Sequence, residues 1–183
     1  MRVLTAAWLA MVCFALVGCA RERGCFRDSL RSLEVTLGDS SPTTAAPRVR
    51  WALVSAACDH GIPTLLLASV ALQESSFDPR ARSPKGALGV LQVLPQTARE
   101  TASRLGLEWR GEHSLSEPHL NAKLGAAYLR SLYQEFGDWE AALSAYNMGP
   151  RRFRDYIAGG KRASSAYARE ILARWRSWEE SRG

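Results

Sequence analysis

Lysine is scarce in this chain: positions 85, 123 and 161 hold all of it, so arginine supplies nearly all of the 24 basic side chains. Histidine occurs only at 60, 113 and 119, with no ligand spacing to cysteine or acid, so no metal centre is expected, and no cofactor either. No stretch alternates apolar and polar residues convincingly enough for a strand, which argues against a sheet-based fold. Internal repeats are lacking, which excludes a solenoid. A long like-charge tail and a basic–aromatic repeat are lacking too, so nucleic acid is not the expected partner. Of four cysteines, Cys13 and Cys19 lie in the first 19 residues. Cys25 and Cys58 are left; they either pair in an oxidising compartment or leave Cys58 as a small buried hydrophobe on a helix.

What is present begins with charge. The net charge of +6 and a pI near 9.5 favour anionic partners such as lipid head groups or an acidic polymer. Arg2 is followed by an almost wholly apolar run over 3–17. It is shorter than the roughly 20 residues of a comfortable membrane span and fits a signal peptide. The run ends Leu16-Val17-Gly18-Cys19, which resembles the lipobox of bacterial lipoproteins. That resemblance implies a signal peptide over 1–18, with Cys19 as the lipidated mature terminus and Ala20 favouring the outer membrane. The alternative is an ordinary signal peptide in which Cys19 is incidental. Residues 19–47 read as a tether with one short helical or strand-like patch at Leu30, Leu33, Val35 and Leu37. Freely coiled, its ends would lie roughly 30 Å apart.

The folded domain is expected over 48–183, all-α, with six or seven helices around one core. Val49, Leu53, Ala56 and Ala57 form a helical stripe that ends at Gly61. Pro63 suits the start of a helix running to about Glu74. Pro79 and Pro84 forbid helix across the next loop. Pro95 opens another helix, closed by Gly106. Leu120, Leu124, Tyr128, Leu132 and Phe136 form an i+4 series on a long helix that ends at Gly137. Asp138 caps the next helix. Gly149-Pro150 and Gly159-Gly160 punctuate the C-terminal third, and Ser164 or Ser165 caps the last helix.

The chemistry points to residues 71–98. Glu74 follows Leu65, Leu66, Leu67, Val70 and Leu72, and a carboxylate at the end of an apolar helix is a candidate proton donor, because desolvation disfavours its charged form. The loop after it is rich in turn residues and leads to Gly86, Gly89 and the amide Gln92. Glu74, Ser75, Phe77, Asp78, Pro79, Ala81, Ser83, Gly86, Ala87, Gly89, Gln92, Pro95, Thr97 and Ala98 stand in register with the signature of the soluble lytic transglycosylases. The segment resembles that family, which has a lysozyme-like fold. Asn121 to Leu132, ALSAYNMGP over 142–150 and Tyr167 in YAREIL resemble its later motifs, so the likeness covers about residues 50–175. Leu91 and Leu94 replace family methionines, and Met148 replaces a small residue.

The resemblance implies peptidoglycan as substrate and Glu74 as the single general acid and base. Glu74 would protonate the bond between N-acetylmuramic acid and N-acetylglucosamine, then deprotonate the muramyl C6 hydroxyl as it closes a 1,6-anhydro ring. It further implies that Ser83, Gln92, Asn147 and Tyr167 line the glycan cleft. Tyr146 would bond the N-acetyl group or Glu74. Asp78 is the nearest second carboxylate, but Pro79 makes it a turn residue instead. Two other functions fit the same residues: a lysozyme-like hydrolase, which would usually need a second carboxylate, and a non-catalytic wall-binding lipoprotein. Further partners would be wall-synthesis or secretion machinery.

Overall fold

The computed structural model describes residues 24–37 and 46–181. The expected signal peptide over 1–18 and the lipid site Cys19 lie outside the described residues. The chain is all-α, as expected. Helix α1 covers 24–37. After it come α2 (Pro47–His60), α3 (Thr64–Ser75), α4 (Pro95–Arg104), a 3-10 turn (Glu112–Ser116), α5 (Pro118–Phe136), α6 (Trp139–Met148), α7 (Pro150–Ala158) and α8 (Ala166–Glu180). No strand occurs among the described residues, only isolated bridges pairing Leu88 with Arg82 and with Val93.

Local chemistry sets these boundaries. Gly61 takes the left-handed conformation that ends α2, with its N–H on the last carbonyls of the helix. Pro63 lies just outside α3 rather than within it. α4 closes at Leu105, one residue before the expected Gly106. Glu117 caps α5 by accepting hydrogen bonds from the N–H groups of His119 and Leu120. Asp138 and Ser165 cap α6 and α8 by accepting from Ala141 and Ala168. The 3-10 turn lies between α4 and α5.

α5 is the central element, packed against α2, α4 and α6. It buries more than the narrow i+4 stripe: Asn121, Ala122, Gly125, Ala126 and Leu129 are enclosed beside Leu124 and Leu132. A helix covered on several sides needs a wide apolar face. α3 is buried nearly all round, from Leu65 to Ala71, and α8 lies along it. The end of this enclosed helix is where Glu74 emerges.

One expectation is corrected. The middle of the supposed tether is a docked helix. Leu33 of α1 is wholly buried in the core, with Phe26, Leu30 and Leu37 packed against it, and the Phe26 ring meets Trp51 with centroids 4.7 Å apart. A disulfide joins Cys25 of α1 to Cys58 of α2, with Cα atoms 6.1 Å apart and a sequence separation of 33. Phe26, Leu30, Leu33 and Leu37 stand four, three and four residues apart, a helical stripe, but spacing alone does not show that these residues find a core. Cross-linking a loop of this length stabilises by about 3–4 kcal/mol in the chain-entropy account. Replacing both cysteines by alanine is therefore expected to free α1 while the rest of the domain stays folded. Trypsin should then cut at the exposed Arg27 and Arg31 at least about tenfold faster, since losing about 1.4 kcal/mol of protection opens a site tenfold more often. Limited proteolysis read by mass spectrometry checks it.

Candidate active site

α3 ends in an unusual turn. Ser76 and Phe77 both have positive φ, 52° and 66°, a conformation that side-chain-bearing residues adopt only when their surroundings over-determine it. Three contacts hold it. The Ser76 and Phe77 N–H groups donate to Leu72 and Ala71, the Phe77 side chain is buried, and the Ser75 hydroxyl donates to the Val90 carbonyl at 2.8 Å. The turn leaves Glu74 at the helix end and sends the chain into the loop that forms the facing wall.

That wall, 86–94, is fixed by a residue that sequence alone placed only in a helix motif. Asn121 is wholly buried. Its amide nitrogen donates to the carbonyls of Leu88 and Leu115, and its oxygen accepts from the Leu91 N–H at 2.8 Å. A polar residue on the core face of an apolar helix must find such partners, and that rule was the available signal. Two glycines make the approach possible. A Cβ on Gly89 would collide with the Asn121 amide and the Leu115 carbonyl; one on Gly125 would lie 2.6 Å from Leu91 Cδ1. Gly125 thus admits the loop against α5.

The expected site residues divide by what they touch. The Tyr167 hydroxyl donates to Glu74 Oε1 at 2.5 Å. The Tyr146 hydroxyl donates to the Leu91 carbonyl at 2.8 Å, not to Glu74. The Gln92 Nε2 donates to Ala81 and Gly89 carbonyls, bracing the loop at a position of φ 47°. The Ser83 hydroxyl accepts from the Ala87 N–H. Asn147 is exposed at the end of α6. Leu94, 44% exposed, sits on the rim of this wall, so the leucine that replaces a family methionine is free to meet a ligand. Asp78 accepts from the Arg80 N–H across a turn, the turn role expected of it.

Electrostatics single out Glu74. Burial raises its pKa, and the Tyr167 hydrogen bond partly offsets that rise. Burial also raises both tyrosines well above their ordinary value, reinforced by the nearby Glu74 charge. Both phenols are therefore neutral at physiological pH and able to donate. With Tyr167 donating to Oε1, a protonated Glu74 carries its proton on Oε2, free for an incoming group.

Tyr167 is positioned from two directions. On α8, seven residues on, Arg174 donates to the Ser69 carbonyl and the Gln73 side chain of α3, and residues seven apart share a helix face. At the start of α8, buried Ser144 of α6 donates to the Glu140 carbonyl and accepts from the Ser165 N–H at 2.9 Å, with the Ser165 hydroxyl 3.1 Å away. Ser165 in turn caps α8 through the Ala168 N–H. Sequence alone suggested no role at Glu74 for either serine.

This geometry has counterparts among known proteins. Residues 52–168 match the transglycosylase SLT domain family. The soluble lytic murein transglycosylase of Salmonella typhimurium is 40% identical over 91 residues, 49% of this chain and 14% of that protein. The endo-type membrane-bound lytic murein transglycosylase A of Klebsiella pneumoniae is 31% identical over 132 residues, 68% of this chain and 59% of that protein. The chain thus spans less than two thirds of each of these relatives' lengths. An inactive glutamate-to-glutamine mutant of lytic transglycosylase Slt from Pseudomonas aeruginosa superposes with a TM-score of 0.65 at 28% identity, over 72% of this chain and 24% of that one. The 70 kDa soluble lytic transglycosylase of Escherichia coli shares the fold, with a TM-score of 0.60 at 23% identity, over 90% of this chain and 35% of that one. With its own family pattern matched over most of the folded part, the chain belongs to the transglycosylase SLT domain family.

Proposed function

We propose that the protein is a membrane-anchored lytic transglycosylase of peptidoglycan, with Glu74 as its one acid and base. The observation that carries this reading is the Glu74 carboxyl at the end of a buried helix, its pKa raised by burial and one oxygen held by Tyr167. A carboxyl with a raised pKa can be protonated at working pH and still accept a proton later. Names of the relatives, and the loss of activity in the glutamine mutant of the Pseudomonas protein, support the same assignment.

In this mechanism Glu74 Oε2–H gives its proton to the glycosidic oxygen, which leaves as the C4 hydroxyl of N-acetylglucosamine. The substrate's N-acetyl group stabilises the positive charge at C1 of muramic acid. Glu74, now ionised, takes the proton of the muramyl C6 hydroxyl as that oxygen bonds C1. The 1,6-anhydro ring closes without water, and Glu74 is protonated again. Asn147 and Leu94, exposed beside the wall, contact the glycan; Ser83, Gln92 and Tyr146 hold the wall in place.

Glu74→Gln is expected to abolish cleavage, because an amide keeps the shape but has no proton to give. Mass spectrometry of digested peptidoglycan reads the reaction itself. Wild type should yield fragments with anhydromuramyl ends; reducing ends would mean a hydrolase, and no fragments a wall-binding scaffold. The same variant tests the burial argument. A carboxyl whose folded pKa is raised contributes fully below its unfolded value, and that contribution is lost as pH rises through the folded value. Glu74→Gln should therefore melt higher than wild type at neutral pH, with the gap closing in acid.

Tyr167→Phe removes the hydrogen bond that lowers the Glu74 pKa. The alkaline limb of the kcat/KM profile, where the acid loses its proton, should move to higher pH. Turnover should fall roughly tenfold, since a hydrogen bond to a charged group contributes about 1.5–3 kcal/mol. Ser144→Ala should shift the limb in the same direction, and the double variant should shift it no further than Tyr167→Phe alone. A serine that only packs would leave the limb in place.

The anchor is proposed at Cys19, directing the protein to the outer membrane and facing the periplasm. Among the described residues no helix is long and apolar enough to cross a membrane, and two relatives are named membrane-bound. Cys19→Ser should block acylation and leave the protein unprocessed or soluble, read by fractionation and mass. Mature protein still on the membrane would refute the lipid site.

A further inference from the structure

α7 and the turn after it hold most of the chain's surplus charge. Arg151, Arg152, Arg154, Lys161 and Arg162 stand against one acid, Asp155, a surplus of four in a chain of net charge +6. Phe153 is buried, and Tyr156 and Ile157 pack against the core beside it. The helix therefore lies on its apolar side and turns Arg151, Arg152 and Arg154 outward. Glu135 of α5 engages Arg154 at 2.9 Å. The other four cations are exposed and have no carboxylate within ion-pair distance among the described residues. Lys161 lies over the Tyr156 ring, 5.0 Å from its centroid, so the turn at 159–160 brings its charge back beside the helix.

This basic face sits at the end of the bundle from which the N-terminal segment leaves. Phe153 packs edge-on against Phe136, at the end of α5, with centroids 5.0 Å apart. α2 packs along α5, and His60 at the end of α2 meets the backbone of Lys123 near the start of α5. The two helices therefore run in opposite directions, and the start of α2 lies with α7 by the end of α5. Trp51, about one turn into α2, is 56% exposed, the most exposed aromatic side chain among the described residues. Its ring meets Phe26 of α1, two residues after the described chain begins at 24. Position 19 is then within roughly 18 Å of that point.

We propose that this end of the bundle, with the cations of α7 and the Trp51 ring, rests on the anionic surface of the membrane that carries the anchor. The proposal rests on the reading of Cys19 as the lipid site and adds a second contact to it. Phosphate oxygens of lipid head groups accept the guanidinium fork through paired hydrogen bonds. Each cation near an anionic leaflet adds attraction that salt screens. Indole has an apolar body and one N–H donor, a combination that settles at head-group level. A basic patch is a recognised second signal beside acyl chains. Acyl chains alone attach the terminus, whereas a contact on the folded domain also fixes which side of it faces the membrane.

The test uses the chain from 19 to 183 with Cys19→Ser, which keeps every described residue and carries no acyl chain, so that binding reports the folded surface. Sedimentation is measured with phosphatidylcholine vesicles, with and without phosphatidylglycerol. Binding is expected on the mixed vesicles only and should fall as salt rises. Arg151→Gln with Arg152→Gln should weaken it roughly tenfold or more, and Trp51→Ala should weaken it as well. Arg169→Gln with Arg176→Gln, which removes the same charge from exposed α8 positions, should change it less than about twofold. Melting temperatures matching the parent's show that the arginine variants are folded. Equal binding to both kinds of vesicle, no binding, no effect of the α7 pair, or an equal loss in the α8 pair would overturn the proposal. So would a loss in the α7 pair on isolated sacculi but not on vesicles, which would make this face a site for wall polymer. High salt releases surface binding and leaves an acyl anchor in place, so fractionation of the native protein after a salt wash reads the anchor separately. The surface can therefore fail while the Cys19 reading stands, and the reverse.

Discussion

The buried amide of Asn121 is the contact on which the site depends. It satisfies two carbonyls and one N–H of chain that has no regular ladder of its own. Without it, the Leu91 N–H would lie against α5 unpaired, at a cost of about 1–3 kcal/mol. Every other link to the wall uses that fixed backbone. Ser75 ties the end of α3 to Val90, and Tyr146 ties α6 to Leu91. Three helices thus take their places around one loop that Asn121 pins to α5. The requirement for glycine at 89 and 125 comes from how closely that side chain draws the loop in.

Glu74 shows two opposed effects in one group. Burial disfavours its charge, and the Tyr167 hydroxyl favours it, burial being the larger. The balance is set by the position of α8, which is fixed at its start by Ser144 and farther along by Arg174. The Tyr167 hydroxyl thus reaches the end of α3 from a helix whose start is held by Ser144 of α6. Ser144 adds hydrogen bonds to a junction otherwise held by packing.

Much of the architecture was legible because its signals are local. Asp138 and Gly61 mark boundaries through groups a few residues away, and the prolines at 79 and 84 keep helix out of the loop by sterics alone. Glu74 was legible through its apolar surroundings and its place in a motif. What escaped depends on contacts distant in sequence. Tyr146 was expected at the N-acetyl group or Glu74, yet its hydroxyl is used on a carbonyl 55 residues away. No periodicity announces such a partner. Phe26, Leu30, Leu33 and Leu37 stand at helical spacing in residues 24–37, but only the core that receives Leu33 shows that this helix docks.

The bond between Cys25 and Cys58 also sets a length. As free coil, residues 20–47 would have a contour of roughly 100 Å. Fastening Cys25 to the domain limits the reach from position 19 to position 25 to at most roughly 20 Å. A protein anchored at Cys19 would then work the layer of wall next to its membrane and no deeper. Opening the disulfide and undocking α1 would lengthen that reach several-fold, so for a protein so anchored the redox state of the compartment would bear on how far into the wall it extends.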